Sequence, residues 1–160
     1  MFNARNRGGA TLVVAIALAS PALAERPREV SSIAAYVNGM AITKSEVGIM
    51  LYPQMKRLEA RFPDRGPEFE KQLLEARNAV LRELTDRTEI LTQPNLVPIK
   101  IDSKAIDEEV QREVRGNYEG SQDQFEAALR RNRMTREGFR QLTEDKLQAA
   151  AIKAREEKKK

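Results

Sequence analysis

The sequence predicts a mainly α fold, a small helical domain of about five helices entered through a short N-terminal strand or hairpin. Three observations carry this. Apolar residues recur at steps of three and four between residues that cap helices. One short stretch near residue 33 alternates instead, and it is followed by Asn38-Gly39, a pair that turns a hairpin at low cost. Charged residues make up 32% of the chain and aromatic residues only 5%, which suits solvated amphipathic helices around a modest core.

The first 24 residues are set apart from the fold. Arg5 and Arg7 form a basic start, Ala10–Ser20 is apolar but too short to span a bilayer, and Ala22-Leu-Ala24 is a small-x-small cleavage box. The expectation is a signal peptide over 1–24, cleaved after Ala24, and export to a bacterial periplasm. The mature chain then has no membrane span. Losing Arg5 and Arg7 lowers the formal charge from +4 to +2. That balance is too near neutral for a nucleic-acid footprint, so no nucleic acid is expected as a partner.

Residues 25–32 are a polar lead-in, 33–155 the domain, and 156–160 a charged tail that frays. Within the domain, Ile33, Ala35 and Val37 face one side of a strand and Ala34 and Tyr36 the other. Met40–Ile42 is the returning strand. Thr43 with Glu46 three residues on has the spacing of a capping box. A first helix follows from about Ser45 to Arg61 along Val47, Leu51, Met55, Leu58 and Phe62, with a kink or break expected near Tyr52 because Pro53 removes an N–H and crowds the preceding turn. Phe62–Pro67 is a loop.

The second helix, from about Glu68 to Thr92, carries Phe69, Leu73, Ala76, Val80, Leu84 and Leu91, widened by Leu74, Leu81 and Ile90, and is expected to be central. Glu83 and Arg87 are an i,i+4 pair. Pro94 ends the helix, with Asn95 suited to a left-handed exit, and residues 96–101 are extended. Asp102 caps a third helix along Ile106, Val110 and Val114, closed by a turn over Gly116–Gly120. Ser121 with Gln124 opens a fourth helix with Phe125, Ala128 and Leu129 inside. Arg130–Met134 is a basic loop, and Thr135 caps a last helix through Phe139, Leu142, Leu147 and Ala150.

The composition also excludes chemistry. With no Cys there is no disulfide, thiolate nucleophile or thiolate metal site, and with no His the usual acid–base group near neutral pH is missing. Asp107, Glu108 and Glu109, and Glu144 with Asp145, are adjacent acids pointing in different directions, as on a solvated face. No Gly-rich phosphate loop and no metal-ligand spacing is present, so no cofactor, no metal and no catalytic residue is expected.

Three blocks carry a family resemblance. Ile33-Ala-Ala-Tyr-Val-Asn-Gly-Met-Ala-Ile-Thr-Lys-Ser-Glu-Val47 resembles the opening of the N-terminal domain of the SurA family, periplasmic chaperones of outer-membrane proteins. Arg77–Leu91 is similar to a helix of that family, and Phe125 followed by Met134–Phe139 to a later block. The blocks stand in the family's order. Thr85 and Thr88 depart from it, falling where larger apolar residues are usual, which suggests a looser contact or a groove there.

The resemblance implies an ATP-independent chaperone whose partners are unfolded outer-membrane proteins or extended apolar peptides. Family members also carry parvulin-type proline isomerase domains. No parvulin domain and no His or Cys is present here, which weighs against enzyme activity. The alternative is the substrate-binding part of an isomerase whose catalytic domain is truncated or lies on another chain. An apolar face left uncovered marks binding, a homodimer or aggregation. Methionines re-pack around varied partners. Met40, Met50, Tyr52 and Met134 are therefore the candidate peptide-binding residues, whereas Met55 and Phe62 are assigned to the core.

Overall fold

A computed structural model describes residues 32–159; the expected signal peptide and most of the lead-in lie outside the described residues. Strand β1 (Ile33–Val37) and strand β2 (Met40–Thr43) pair antiparallel, with Val37 opposite Met40 and Ala35 opposite Ile42. Asn38 and Gly39 both have positive φ, 49° and 82°, as the tight hairpin turn requires. The simple alternation expected for β1 does not hold at its start. The register shifts between Ile33 and Ala35, so Ala34 turns inward with Ala35 and Val37, and Ile33 is exposed.

Helix α1 (Lys44–Arg61) starts on the full capping box. The Thr43 hydroxyl accepts from the Glu46 N–H at 3.1 Å, and the Glu46 carboxylate accepts from the Thr43 N–H at 2.6 Å. Thr43→Ala is expected to cost about 1 kcal/mol, read from urea unfolding; an unchanged midpoint would mean the cap is redundant. Of the expected kink or break, the break does not occur: α1 runs through Pro53 without interruption. The proline removes the N–H that would bond the Ile49 carbonyl one turn back.

The buried side of α1 is also wider than one stripe. Val47 and Ile49 are both buried although they point about 200° apart on a helix. Helix α1 has neighbours in α2 (Pro67–Leu91), the hairpin and α4 (Gln122–Arg131). Gly48 makes this possible, since a methyl group there would run into Asn132 at the end of α4. Beyond this half the burial fades. Met55 and Phe62, expected in the core, are only half-buried and do not join it.

Helix α2 (Pro67–Leu91) begins with proline at its first turn and packs against α1, the hairpin and the last helix, α5 (Arg136–Glu157), which makes it the central helix as expected. Phe69, Val80 and Leu84 are buried, and Arg87 joins them. The exit is not left-handed at Asn95; among the described residues the non-glycine positions with positive φ are Asn38, Arg65, Glu119 and Arg133. Instead Thr92 closes α2, its hydroxyl donating to the Thr88 carbonyl at 2.7 Å. Thr88 donates to the Leu84 carbonyl in the same way, so this threonine serves its own helix.

Helix α3 (Ser103–Asn117) is capped by Asp102, which accepts from the Lys104 N–H at 2.7 Å. Helix α4 (Gln122–Arg131) is capped by Ser121, with only the serine half of the expected box formed. Helix α5 (Arg136–Glu157) is capped by Thr135 and continues into the residues read as a charged tail. Ala149 and Ile152 are buried on α5, whereas Ala150 is exposed and Leu147 half-buried. A repeat of three falls short of a 3.6-residue turn, so the buried line winds around α5 rather than following the expected positions.

The core joins Ile42, Val47, Ile49, Val80, Leu84, Val114, Tyr118, Phe125, Ala128, Leu129, Phe139 and Leu142. A run of rings passes through it. Tyr52 stacks on Tyr118 at 6.2 Å between centroids, Tyr118 meets Phe125 edge-on at 5.3 Å, and Phe125 meets Phe139 edge-on at 4.9 Å.

Candidate functional site: a groove between four helices

The stripe of α3 continues one step past the helix. Val114 plus four is Tyr118, so the ring expected in a turn lies in the core at 3% exposure. The Gly116–Gly120 signal marked the chain reversal correctly but hid this residue, and the i+4 spacing was the signal that could have found it. Arg87 hid in the same way. It follows Val80 and Leu84 on the buried stripe of α2 and is 7% exposed.

These residues line a groove of about 220 Å3. Its apolar part is Ile49, Met50 and Pro53 from α1 with Phe139 and Leu142 from α5, and its polar part is Glu83, Arg87, Glu113, Asn117, Thr143 and Lys146. Thr85 and Thr88, where a looser contact or a groove is expected, do not line it; α2 contributes Glu83 and Arg87 instead.

The charges along the groove are satisfied by one another. Arg87 donates to Glu83 at 2.8 Å and to the Leu142 carbonyl of α5 at 3.3 Å. Lys146 donates to Glu109 at 2.8 Å and to Glu113 at 2.6 Å, and Asn117 donates to Glu113 at 2.6 Å. Glu109 also pairs with Arg112 and is 6% exposed, which corrects its assignment to a solvated acidic face. A carboxylate this buried persists because two cations hold it. Its pKa is held below the ordinary glutamate value, first by the hydrogen bond from Lys146. For Lys146, burial pulls the pKa down, but the bonds to Glu109 and Glu113 outweigh it and leave it raised.

Tyr118 differs from these groups. Its hydroxyl forms no hydrogen bond with any described residue, yet the described residues hold no buried side-chain N or O without a partner. The hydroxyl therefore opens to the groove that the ring lines. Burial, then the charge of Glu113 and the neighbouring Tyr52, push its pKa up to about 12, so it is a neutral donor at physiological pH.

The four candidate residues do not form one site. Met50 lines the groove, and Tyr52 backs it through its stack on Tyr118, with the Arg131 guanidinium 5.8 Å from its ring centroid. Met134 is half-buried against the core near the α4–α5 connection, and Met40 stands 57% exposed at the hairpin tip. A neutral hydroxyl over an apolar floor, flanked by self-neutralised charges, suits binding of an uncharged apolar group. Among the described residues no group of His, Cys, Asp or Glu could hold a metal ion.

Compared with family models, residues 9–153 match the SurA-like N-terminal domain. The chain belongs to this family. A SurA-like N-terminal domain is a chaperone-type or prolyl-isomerase-associated module. Neither the curated proteins nor the solved structures contain a significant match to this SurA-like chain. Among the described residues of the SurA-like domain, no helix is long and apolar enough to cross a membrane.

Proposed function

We propose that this domain is a periplasmic, ATP-independent chaperone module that binds unfolded segments of outer-membrane proteins and assists their folding and membrane assembly. The observation that carries this is the hairpin surface. Ile33, Tyr36 at 66% exposure and Met40 leave large apolar side chains in solvent on a sheet that has two strands among the described residues. Each strand of such a sheet has one unpaired edge, and an extended polypeptide can satisfy both needs at once, hydrogen-bonding the edge and covering the side chains. Membership in the SurA-like family and the export signal read from the sequence support the same function and address.

The test is dilution of a urea-unfolded outer-membrane porin into buffer containing Glu25–Lys160, followed by light scattering. Suppressed scattering at near-stoichiometric ratios is the expected result. Unchanged scattering, with the domain shown folded by circular dichroism, would overturn the chaperone function and favour the substrate-binding part of an isomerase that needs its catalytic domain. A concentration-dependent dimer that hides the hairpin would assign the same surface to self-association.

A further inference from the structure

The groove between α1, α2, α3 and α5 lies apart from the hairpin surface and has a different chemistry. We infer that it takes one apolar side chain of an extended polypeptide, and that Tyr118 donates a hydrogen bond to the backbone carbonyl beside that side chain. This rests on the chaperone function proposed above and gives it a place on the molecule.

Size is the first argument. About 220 Å3 lies below the ~300–1,000 Å3 of pockets that hold cofactors and drug-sized ligands, and matches a single large side chain. Charge is the second. Arg87 is engaged by Glu83 and Lys146 by Glu109 and Glu113, so the groove offers no free ion to recruit a charged ligand. The third is a polar group left over. The Tyr118 ring is held on one side by Tyr52 and on another by Phe125, which fixes its direction, while its hydroxyl forms no hydrogen bond with any described residue. A donor so placed over apolar residues needs an uncharged acceptor attached to an apolar group. A peptide unit supplies both, its carbonyl being an uncharged acceptor beside the side chain.

The experiment uses a fluorescein-labelled peptide of alternating leucine and serine, with an alternating asparagine–serine peptide as control. Binding is followed by anisotropy, and its place by the methyl NMR signals of Ile49 and Leu142. The expected result is binding of the leucine peptide alone, with shifts at both methyl groups. Tyr118→Phe keeps the ring and should weaken binding about threefold to tenfold, the usual worth of one hydrogen bond. Asn117→Trp sets a bulky ring at the exposed mouth and should abolish it.

If the leucine peptide binds with shifts at Ile33 or Ile42 of the hairpin instead, or if both folded variants bind as well as the natural protein, the groove assignment is overturned while the chaperone function stands. Shifts at Ile49 and Leu142 that follow protein concentration without peptide would show a second copy in the groove and also overturn it. If either variant fails to fold, the methyl shifts of the unaltered protein decide. A protein that binds neither peptide nor unfolded porin loses the groove assignment together with the function it rests on.

Discussion

Phe125→Ala is expected to lower the unfolding free energy by about 3–5 kcal/mol, a large share of the ~5–15 kcal/mol of a typical domain. Phe125 is among the largest fully buried side chains, and its ring meets Tyr118 on one side and Phe139 on the other. Truncation removes its transfer free energy, opens a cavity and cuts both edge-on ring contacts. It would also release Tyr118, so peptide binding should weaken beyond what stability alone explains. Urea unfolding followed by circular dichroism measures the loss, with Leu74→Ala as the comparison because Leu74 is exposed. That change should stay within about 0.5 kcal/mol. A loss under about 1 kcal/mol for Phe125→Ala would place the ring outside the cooperative core.

Lys146→Met should destabilise by about 1–3 kcal/mol, and Glu109→Gln by less than that. The asymmetry follows from burial. Without Lys146, the carboxylate of Glu109 keeps only Arg112, which is itself largely exposed. Without a charge on Glu109, Lys146 is 40% exposed and still has Glu113, so water and one carboxylate replace the loss. Replacing Glu109 and Lys146 together by leucine should recover much of the stability, since no buried charge is then left alone.

The same network sets a pH dependence. Glu109 has a depressed pKa, so it binds protons more weakly when folded, and its stabilisation is present above its unfolded value near 4.5 and lost as pH falls through the depressed folded value. Lys146 has a raised pKa, so its contribution is present below the unfolded value near 10.5 and lost as pH climbs through the raised folded value. The network therefore holds α3 to α5 across the range between, and fails first in acid on the Glu109 side. Unfolding midpoints measured from neutral to acid pH should fall steeply for the natural protein and more gently for Glu109→Gln. Parallel curves for the two would show that Glu109 is not the titrating group.

Local structure was legible wherever a short-range signal acts alone. Asn38-Gly39, the Thr43–Glu46 box and the caps at Asp102, Ser121 and Thr135 each use neighbours within four residues, and each starts its element where the sequence places it. Burial was legible where a helix meets partners on one side, as along Ile106 and Val114. It failed where packing comes from two sides. Ile49 was missed because periodicity describes one stripe, and α1 has neighbours in α2, the hairpin and α4. Met55 was misplaced because its stripe is real but the end of α1 carrying it lies outside the core cluster.

The groove was half visible. Met50 and Tyr52 were picked out beside the α1 stripe, yet Tyr118, Arg87 and Lys146 come from three other helices, and no local spacing announces that they meet. The charges were the hardest part. Glu109 looks like its acidic neighbours Asp107 and Glu108, and only the approach of Lys146, 37 residues away in sequence, distinguishes it.

The central claim is that the domain recognises polypeptide in its extended, unfolded form. The most direct measurement compares binding of one porin in two states, unfolded from urea and folded in detergent micelles, to the same labelled domain. The account predicts binding of the unfolded porin and none of the folded one, because only an extended chain offers free backbone groups and side chains to the hairpin edge and the groove. Equal binding of both states, or binding of the folded porin alone, would contradict it.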